Sequence, residues 1–102
     1  MRDFVFRLIP PRPDFASTMS GEERAMMDEH VRYWSGLAGE GTVLAFGPVD
    51  DPAGPHGIGI VLAADLAAAE SIRDADPALL RDRGFRTEIA PMRALVTPAG
   101  RF

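Results

Sequence analysis

Residues 20–38 read SGEERAMMDEHVRYWSGLA and carry the pattern of a long amphipathic helix. Ser20 and Glu23 have the spacing of a capping box, so we expect the helix to begin at this serine. The apolar side chains fall within one arc of the helix when successive residues turn by about 100°. The members of this arc are Met26, Met27, His30, Val31, Trp34, Leu37 and Ala38. The stretch therefore predicts a helix that buries a histidine together with its apolar face.

Strand and helix patterns flank this helix on both sides. They are a strand over 3–9, strands over 42–46 and 58–63, a helix from the cap Asp65 to about 75, a strand over 84–90, and a short edge strand or tail over 92–97. We expect Gly47-Pro48 and Pro91 to end their strands, because proline cannot donate a ladder hydrogen bond. The order β-α-β-β-α-β predicts an α+β fold of the ferredoxin-like type, in one domain over residues 1–102.

Both faces of the predicted sheet carry apolar side chains. In the first strand, Val5 and Ile9 lie opposite Phe4 and Phe6. A sheet with one face in water normally alternates between apolar and polar residues, and two helices cover one face only. We therefore expect the second face to pair with a second copy of the chain, in a symmetric homodimer.

Composition narrows the possible chemistry. The chain has 102 residues, a net charge of −4, no cysteine and eleven basic residues, all of them arginine. Thiol nucleophiles, zinc–thiolate sites and lysine Schiff bases are thereby excluded.

Nucleic acids are not expected as partners without a basic patch, and membranes are not expected without an apolar run of about 18 residues. The N-terminal residues lack a signal-peptide pattern, so we expect a cytoplasmic protein. We expect no cofactor and no metal, because Asp50 and Asp51 have no third ligand at a suitable spacing.

His30 and Asp76 are the candidate catalytic residues. Histidine is a natural general acid–base near neutral pH, although a histidine in an apolar stripe can also be a core residue. The two helices run antiparallel in this topology, which brings Asp76 to the same edge of the sheet as the first half of the long helix. There a carboxylate would orient the imidazole, although Asp before Pro77 is also a common way to start a turn.

Four further residues are candidates for substrate binding. Trp34 and Tyr33 adjoin His30 and form either part of the core or an aromatic wall for a flat ligand. Arg7 either pairs with Glu88 across the strands or binds a substrate carboxylate. Arg12 either reaches the mouth of the site or is solvated. We expect the second histidine, His56, to be exposed in a loop rich in proline and glycine.

Several short motifs, in this order, resemble the YCII-related (YciI-like) domain family. They are His30 to Trp34, Gly41 to Pro48, Gly57 to Val61, Asp74 to Pro77, and Gly84 to Met92. The resemblance implies a dimeric α+β barrel of ferredoxin-like protomers. It also implies an active site of His30 and Asp76, without specifying a reaction. Arg12-Pro13 lies further from His30 than in compact members, so the chain resembles a subgroup in which residues 14–29 lengthen the first loop and helix, as a lid or a dimer arm.

Two functions remain open at this point. The first is a small enzyme in which His30, oriented by Asp76, transfers protons to or from a small organic molecule, in a lyase, isomerase or hydrolase reaction. The second is a noncatalytic homodimer that binds a small molecule or a protein, in which the His–Asp pair is structural. A titrating, reachable imidazole supports the first function, and a protected imidazole that stabilises the fold supports the second.

Overall fold

The computed structural model describes residues 1–101, so Phe102, the last residue of the predicted domain, lies outside the described residues. The elements along the chain are β1 (Arg2–Ile9), α1 (Phe15–Thr18), α2 (Gly21–Gly39), β2 (Val43–Val49), β3 (His56–Ala63), α3 (Leu66–Asp74), α4 (Pro77–Leu80), β4 (Arg86–Pro91), β5 (Val96–Thr97) and β6 (Gly100–Arg101). The predicted sequence of long helices and strands is present, with two additional one-turn helices, α1 and α4, that the sequence patterns did not indicate.

Four strands form an antiparallel sheet in the order β2-β3-β1-β4. This α+β arrangement is compatible with the ferredoxin-like fold. The segment predicted as an edge strand or tail adds no strand to this sheet, although the backbone N–H of Met92 donates to the carbonyl of Asp3 in β1. Within it, Val96 and Thr97 pair instead with Arg101 and Gly100 in a separate two-stranded sheet.

The capping box at the start of α2 is confirmed. Ser20 Oγ accepts a hydrogen bond from the backbone N–H of Glu23, and the Glu23 carboxylate accepts one from the backbone N–H of Ser20. Met26 and Trp34 are buried as the helical arc predicts, whereas the expectation is wrong for Val31, which is 48% exposed, and for Ala38, which is also exposed. Val31 lies at the margin of the arc and lines a cavity.

The prediction that Gly47-Pro48 ends the second strand is wrong, because β2 continues through both residues to Val49. Pro91 likewise still belongs to β4. Both strands lie at the edges of the sheet, so each has one side without a neighbouring strand. A proline is tolerated there, since its missing N–H can face away from the ladder.

The main core lies between one face of the sheet and the helices α2 and α3. Its buried members are Phe4, Phe6, Trp34, Val43, Val61, Ala63 and Ala69. Alternation along the strands directs Val5, Ile58 and Ile60 to the opposite face, where Ile58 is 40% exposed. No helix within residues 1–101 is long and apolar enough to cross a membrane.

Candidate active site

The meeting of α2 with α4 brings His30 and Asp76 together. Asp76 is the N-cap of α4, with Pro77 at the first helical position, where proline is favoured. Its Oδ1 atom accepts a hydrogen bond from the backbone N–H of Ala78 at 2.9 Å. His30 Nδ1 lies 2.8 Å from Oδ1 and 2.9 Å from Oδ2 of the same carboxylate. The motif Asp76-Pro77 therefore starts the short helix α4, and in this position the Asp76 carboxylate contacts His30 of the long helix α2.

The buried carboxylate of Asp76 accepts several hydrogen bonds at once. Trp34 Nε1 donates to its Oδ2 atom at 2.8 Å, so three N–H groups, from His30, Trp34 and Ala78, converge on one carboxylate. Asp76 is only 2% exposed, and these donors replace the water that it would otherwise bind. An ionised carboxylate accepts and cannot donate, so the hydrogen of the His30 ring lies on Nδ1. In the neutral imidazole the second ring nitrogen, Nε2, then carries the lone pair.

Trp34 packs edge to face on Phe6, with ring centroids 5.6 Å apart, and also contacts Phe46 at 5.8 Å. Its indole lies against the backbone of β3 at Gly59. A Cβ atom at Gly59 would lie 2.6 Å from Cζ3 of the indole, closer than real Cβ contacts allow. The absence of a side chain at Gly59 therefore lets Trp34 reach Asp76.

A cavity of about 270 Å³ lies beside His30, whose side chain is 12% exposed. Small-molecule sites typically start at about 300 Å³, so the cavity suits a small ligand. Its lining is mostly apolar and includes the aromatic side chains Phe6, Phe15, Trp34, Phe46 and Phe85. Within residues 1–101, no three His, Asp or Glu side chains gather in a way that could hold a metal ion.

The segment 14–29 forms one wall of this cavity. Phe15 and Ala16 of α1, Met19 between the helices, and Met27 of α2 line it. Phe15 packs edge to face on Phe85, with ring centroids 4.9 Å apart. This segment therefore contributes directly to the surroundings of His30.

Arg12 anchors that wall and does not line the cavity. Its guanidinium binds both carboxylate oxygens of Glu23, at 2.8 and 2.9 Å, and also the side chain and carbonyl of Thr18. It lies over the Phe15 ring, 5.1 Å from the centroid. These contacts tie the proline-rich loop after β1 to α1 and to the first turn of α2.

The Arg12–Glu23 pair makes the fold sensitive to acid. The hydrogen bond from Arg12 and the one from the backbone of Ser20 lower the pKa of Glu23 to about 2, from 4.5. Since the pKa is lower in the folded state, ionised Glu23 stabilises the fold fully above about pH 4.5, and this contribution is lost as the pH falls toward about 2. In Glu23→Gln the backbone of Ser20 keeps an acceptor but the charge is gone.

We therefore expect the urea midpoint of the wild-type protein to fall more steeply than that of Glu23→Gln as the pH drops from about 5 to about 2.5. Glu40→Gln, at an exposed position just after the same helix, serves as the control for removal of a carboxylate. Parallel curves for the wild type and Glu23→Gln would contradict this account.

Tyr33 and Arg7 also lie outside the cavity lining. The Tyr33 hydroxyl donates to the carbonyl of Ile72 at 2.7 Å, and burial, together with the charge of Asp76, raises the pKa of this hydroxyl. Arg7 pairs with Glu88 across β1 and β4 at 2.9 Å, and strand alternation directs it to the face opposite Phe6. Of the six predicted site residues, the structure thus brings His30, Asp76 and Trp34 together at the cavity.

Sequence reasoning missed most of the cavity walls. His56, expected to be exposed, is half-buried and lines the cavity, and its Nδ1 atom lies 2.9 Å from the carbonyl of Gly54. One signal for the cavity was present in β3. Gly57 and Gly59 occupy alternate positions, on the face toward the helices, and both line the cavity.

Comparison with known proteins identifies the family of this chain. A search of the curated proteins finds no match. The family model of the YCII-related domain matches residues 4–93, a range that includes His30, Asp76, the strands β2, β3 and β4, and most of β1. The chain belongs to the YCII-related domain family.

Proposed function

We propose that the protein is a small enzyme in which His30 is the general acid–base, oriented by Asp76, for a small organic molecule bound in the cavity. The observation that carries the proposal is the hydrogen bond from His30 Nδ1 to the buried Asp76 carboxylate, at 2.8 Å, in a histidine that also lines the cavity. This arrangement leaves His30 Nε2 as the atom free to exchange a proton with a ligand.

The chemistry available to this site is proton transfer. Nε2 takes a proton from a carbon or oxygen of the substrate, and the resulting imidazolium is stabilised by the charge of Asp76 on its other side. Return of the same proton to another substrate atom is an isomerisation, and its delivery to a leaving group is an elimination. Hydrolysis is the third possibility, in which Nε2 takes the proton from an attacking water molecule. The apolar walls strengthen each of these charge interactions by excluding water.

5-Nitrobenzisoxazole tests this proposal without knowledge of the natural substrate. A base removes its single C–H proton next to nitrogen, the N–O bond breaks, and a coloured nitrile phenolate forms. We expect the protein to accelerate this elimination and His30→Gln to lower the rate by about 10²-fold or more, since a positioned base contributes about 10²–10⁴-fold.

Arg32→Gln is the matched control, because Arg32 is exposed on the same helix, two residues from His30, and does not line the cavity. Circular dichroism checks that both variants are folded. Equal rates for His30→Gln and Arg32→Gln would overturn the proposal.

A noncatalytic binding module is the second candidate. It is favoured by the way in which the His30–Asp76 pair and the Trp34–Asp76 hydrogen bond join α2 to the start of α4 inside the protein. In that case His30→Gln should lower the melting temperature and leave the elimination rate unchanged. The assay above therefore separates the two candidates.

We also propose that the protein works in the cytoplasm as a homodimer of one-domain subunits, paired through the open face of the sheet. The apolar side chains of Val5, Ile58 and Ile60 on that face support this pairing, since α2 and α3 pack on the other face. Light scattering should then give twice the 11.0 kDa mass of one chain, and a monomer at micromolar concentration would exclude the dimer.

A further inference from the structure

We infer that the cavity beside His30 selects neutral, flat and largely apolar molecules with one hydrogen-bond donor or acidic C–H group, and discriminates against carboxylates and phosphates. The inference rests on the proposed function, in that it takes this cavity to be the substrate site. In this inference Arg7 does not bind a substrate carboxylate, which was one of its two predicted roles.

The charges that line the cavity oppose an anionic ligand. Two of its lining residues, Asp50 and Asp76, carry carboxylates, and none of the arginines between residues 2 and 93 lines it. An anion placed there would lose its hydration and would meet none of these arginines; the lining groups that can become cations are the imidazoles of His30 and His56, and the first already faces the carboxylate of Asp76. The net charge of −4 on the whole chain acts in the same direction.

Several arginines on neighbouring elements are already paired with carboxylates. Arg12 holds Glu23 and Arg7 holds Glu88. Arg81, just after α4, binds Glu29 of α2 at 2.7 Å, and Arg83 binds Glu22. The pairs of Arg81 and Arg83 connect α2 with the residues that follow α4. In all four pairs the guanidinium group is engaged by a carboxylate and does not line the cavity.

The remaining surface of the cavity suits a ring. Phe15 and Phe85 pack edge to face at one part of the wall, and Trp34 and Phe46 form another. Aromatic walls favour flat ligands, by stacking and by edge-to-face contact. At His30, Nδ1 already donates to Asp76, so Nε2 acts as an acceptor and selects a hydroxyl or an acidic C–H group on the ligand.

Two ligands that share a tert-butylphenyl group test the inference: 4-tert-butylphenol, which is neutral at pH 7, and 4-tert-butylbenzoate, which is an anion. Trp34 is the single tryptophan of the chain, so its indole N–H gives one NMR signal that reports directly on the cavity. We expect the phenol to shift this signal and to bind at least about 10-fold more tightly than the benzoate.

A charge added to the wall should change this preference. Met19 is a partly exposed residue of the wall, so Met19→Arg places a guanidinium there, whereas Met19→Leu preserves the apolar wall. We expect Met19→Arg to raise benzoate affinity by about 10-fold and Met19→Leu to leave it unchanged. Met92→Arg is the control for net charge, because Met92 does not line the cavity.

The inference is overturned if the wild-type protein binds the benzoate as tightly as the phenol, since a cation must then come from elsewhere, such as a second subunit. It is also overturned if neither ligand shifts the indole signal. Benzoate binding combined with a His30-dependent elimination would remove the inference and leave the proposed function standing. Tighter binding of the phenol combined with full activity of His30→Gln would overturn the proposed function and leave the selectivity of the cavity standing.

Discussion

Asp76→Ala is expected to lower the free energy of unfolding by about 3–5 kcal/mol, the usual loss when a buried charge-assisted network loses one member. The substitution leaves three N–H groups without their acceptor, on His30, Trp34 and the backbone of Ala78. Asp76 is 2% exposed, so water cannot easily replace the carboxylate. Urea denaturation of the wild type and the variant measures the difference.

Asp65→Ala is the matched control, because Asp65 is also an N-cap aspartate. It is exposed and accepts one hydrogen bond, from the backbone of Ala68 at 2.8 Å. Loss of such a cap costs about 0.5–2 kcal/mol. If Asp76→Ala lowered the free energy of unfolding by no more than Asp65→Ala does, Asp76 would contribute to stability only as an N-cap.

Asp76→Asn separates stability from catalysis at the same position. Asparagine is a good N-cap, so the start of α4 should persist, with a smaller loss of stability than in the alanine variant. Its amide donates as well as accepts, which favours a His30 tautomer with the hydrogen on Nε2 and removes the free base. The elimination of 5-nitrobenzisoxazole should then fall by roughly 10³–10⁴-fold, the loss seen when a histidine is held in the wrong tautomer.

Gly59→Ala is expected to lower the free energy of unfolding by about 1–3 kcal/mol, because the added methyl group overpacks the core. The new Cβ atom would lie 2.6 Å from Trp34, so the indole must move away from β3. Near-ultraviolet circular dichroism, which reports the single tryptophan, should change together with the urea midpoint.

Gly47→Ala is the control for this substitution. Gly47 lies in the adjacent strand β2, and a Cβ atom there would meet no atom within 4 Å. Its effect should stay within about 0.5 kcal/mol, as for most substitutions that create no clash. An equal loss in both variants would show that Gly59 is not required for the position of Trp34.

The long helix α2 could be predicted because its sequence pattern is local. The His30–Asp76 pair could be predicted because the order of helices and strands brings the two residues to the same edge of the sheet. The capping box lies within four residues of sequence, and the apolar arc places His30 without reference to another element. The antiparallel course of the two long helices then suffices to bring Asp76 close to His30. The short helix α4 was missed because Asp76-Pro77 is equally compatible with a simple turn, and its single turn carries no periodicity.

The sequence by itself determined the order of the long helices and the strands of the main sheet, the start of α2, the partial burial of His30 and the absence of thiol and lysine chemistry. These properties follow from hydrogen bonds and periodicity within single segments, and from composition. The tertiary structure alone decided which nitrogen of His30 contacts Asp76, which residues enclose the cavity, and that Arg7 and Arg12 lie outside its lining. Each of these depends on contacts between residues far apart in the chain, such as Trp34 with Gly59 and Phe15 with Phe85, whose geometry is set by packing and not by local preference.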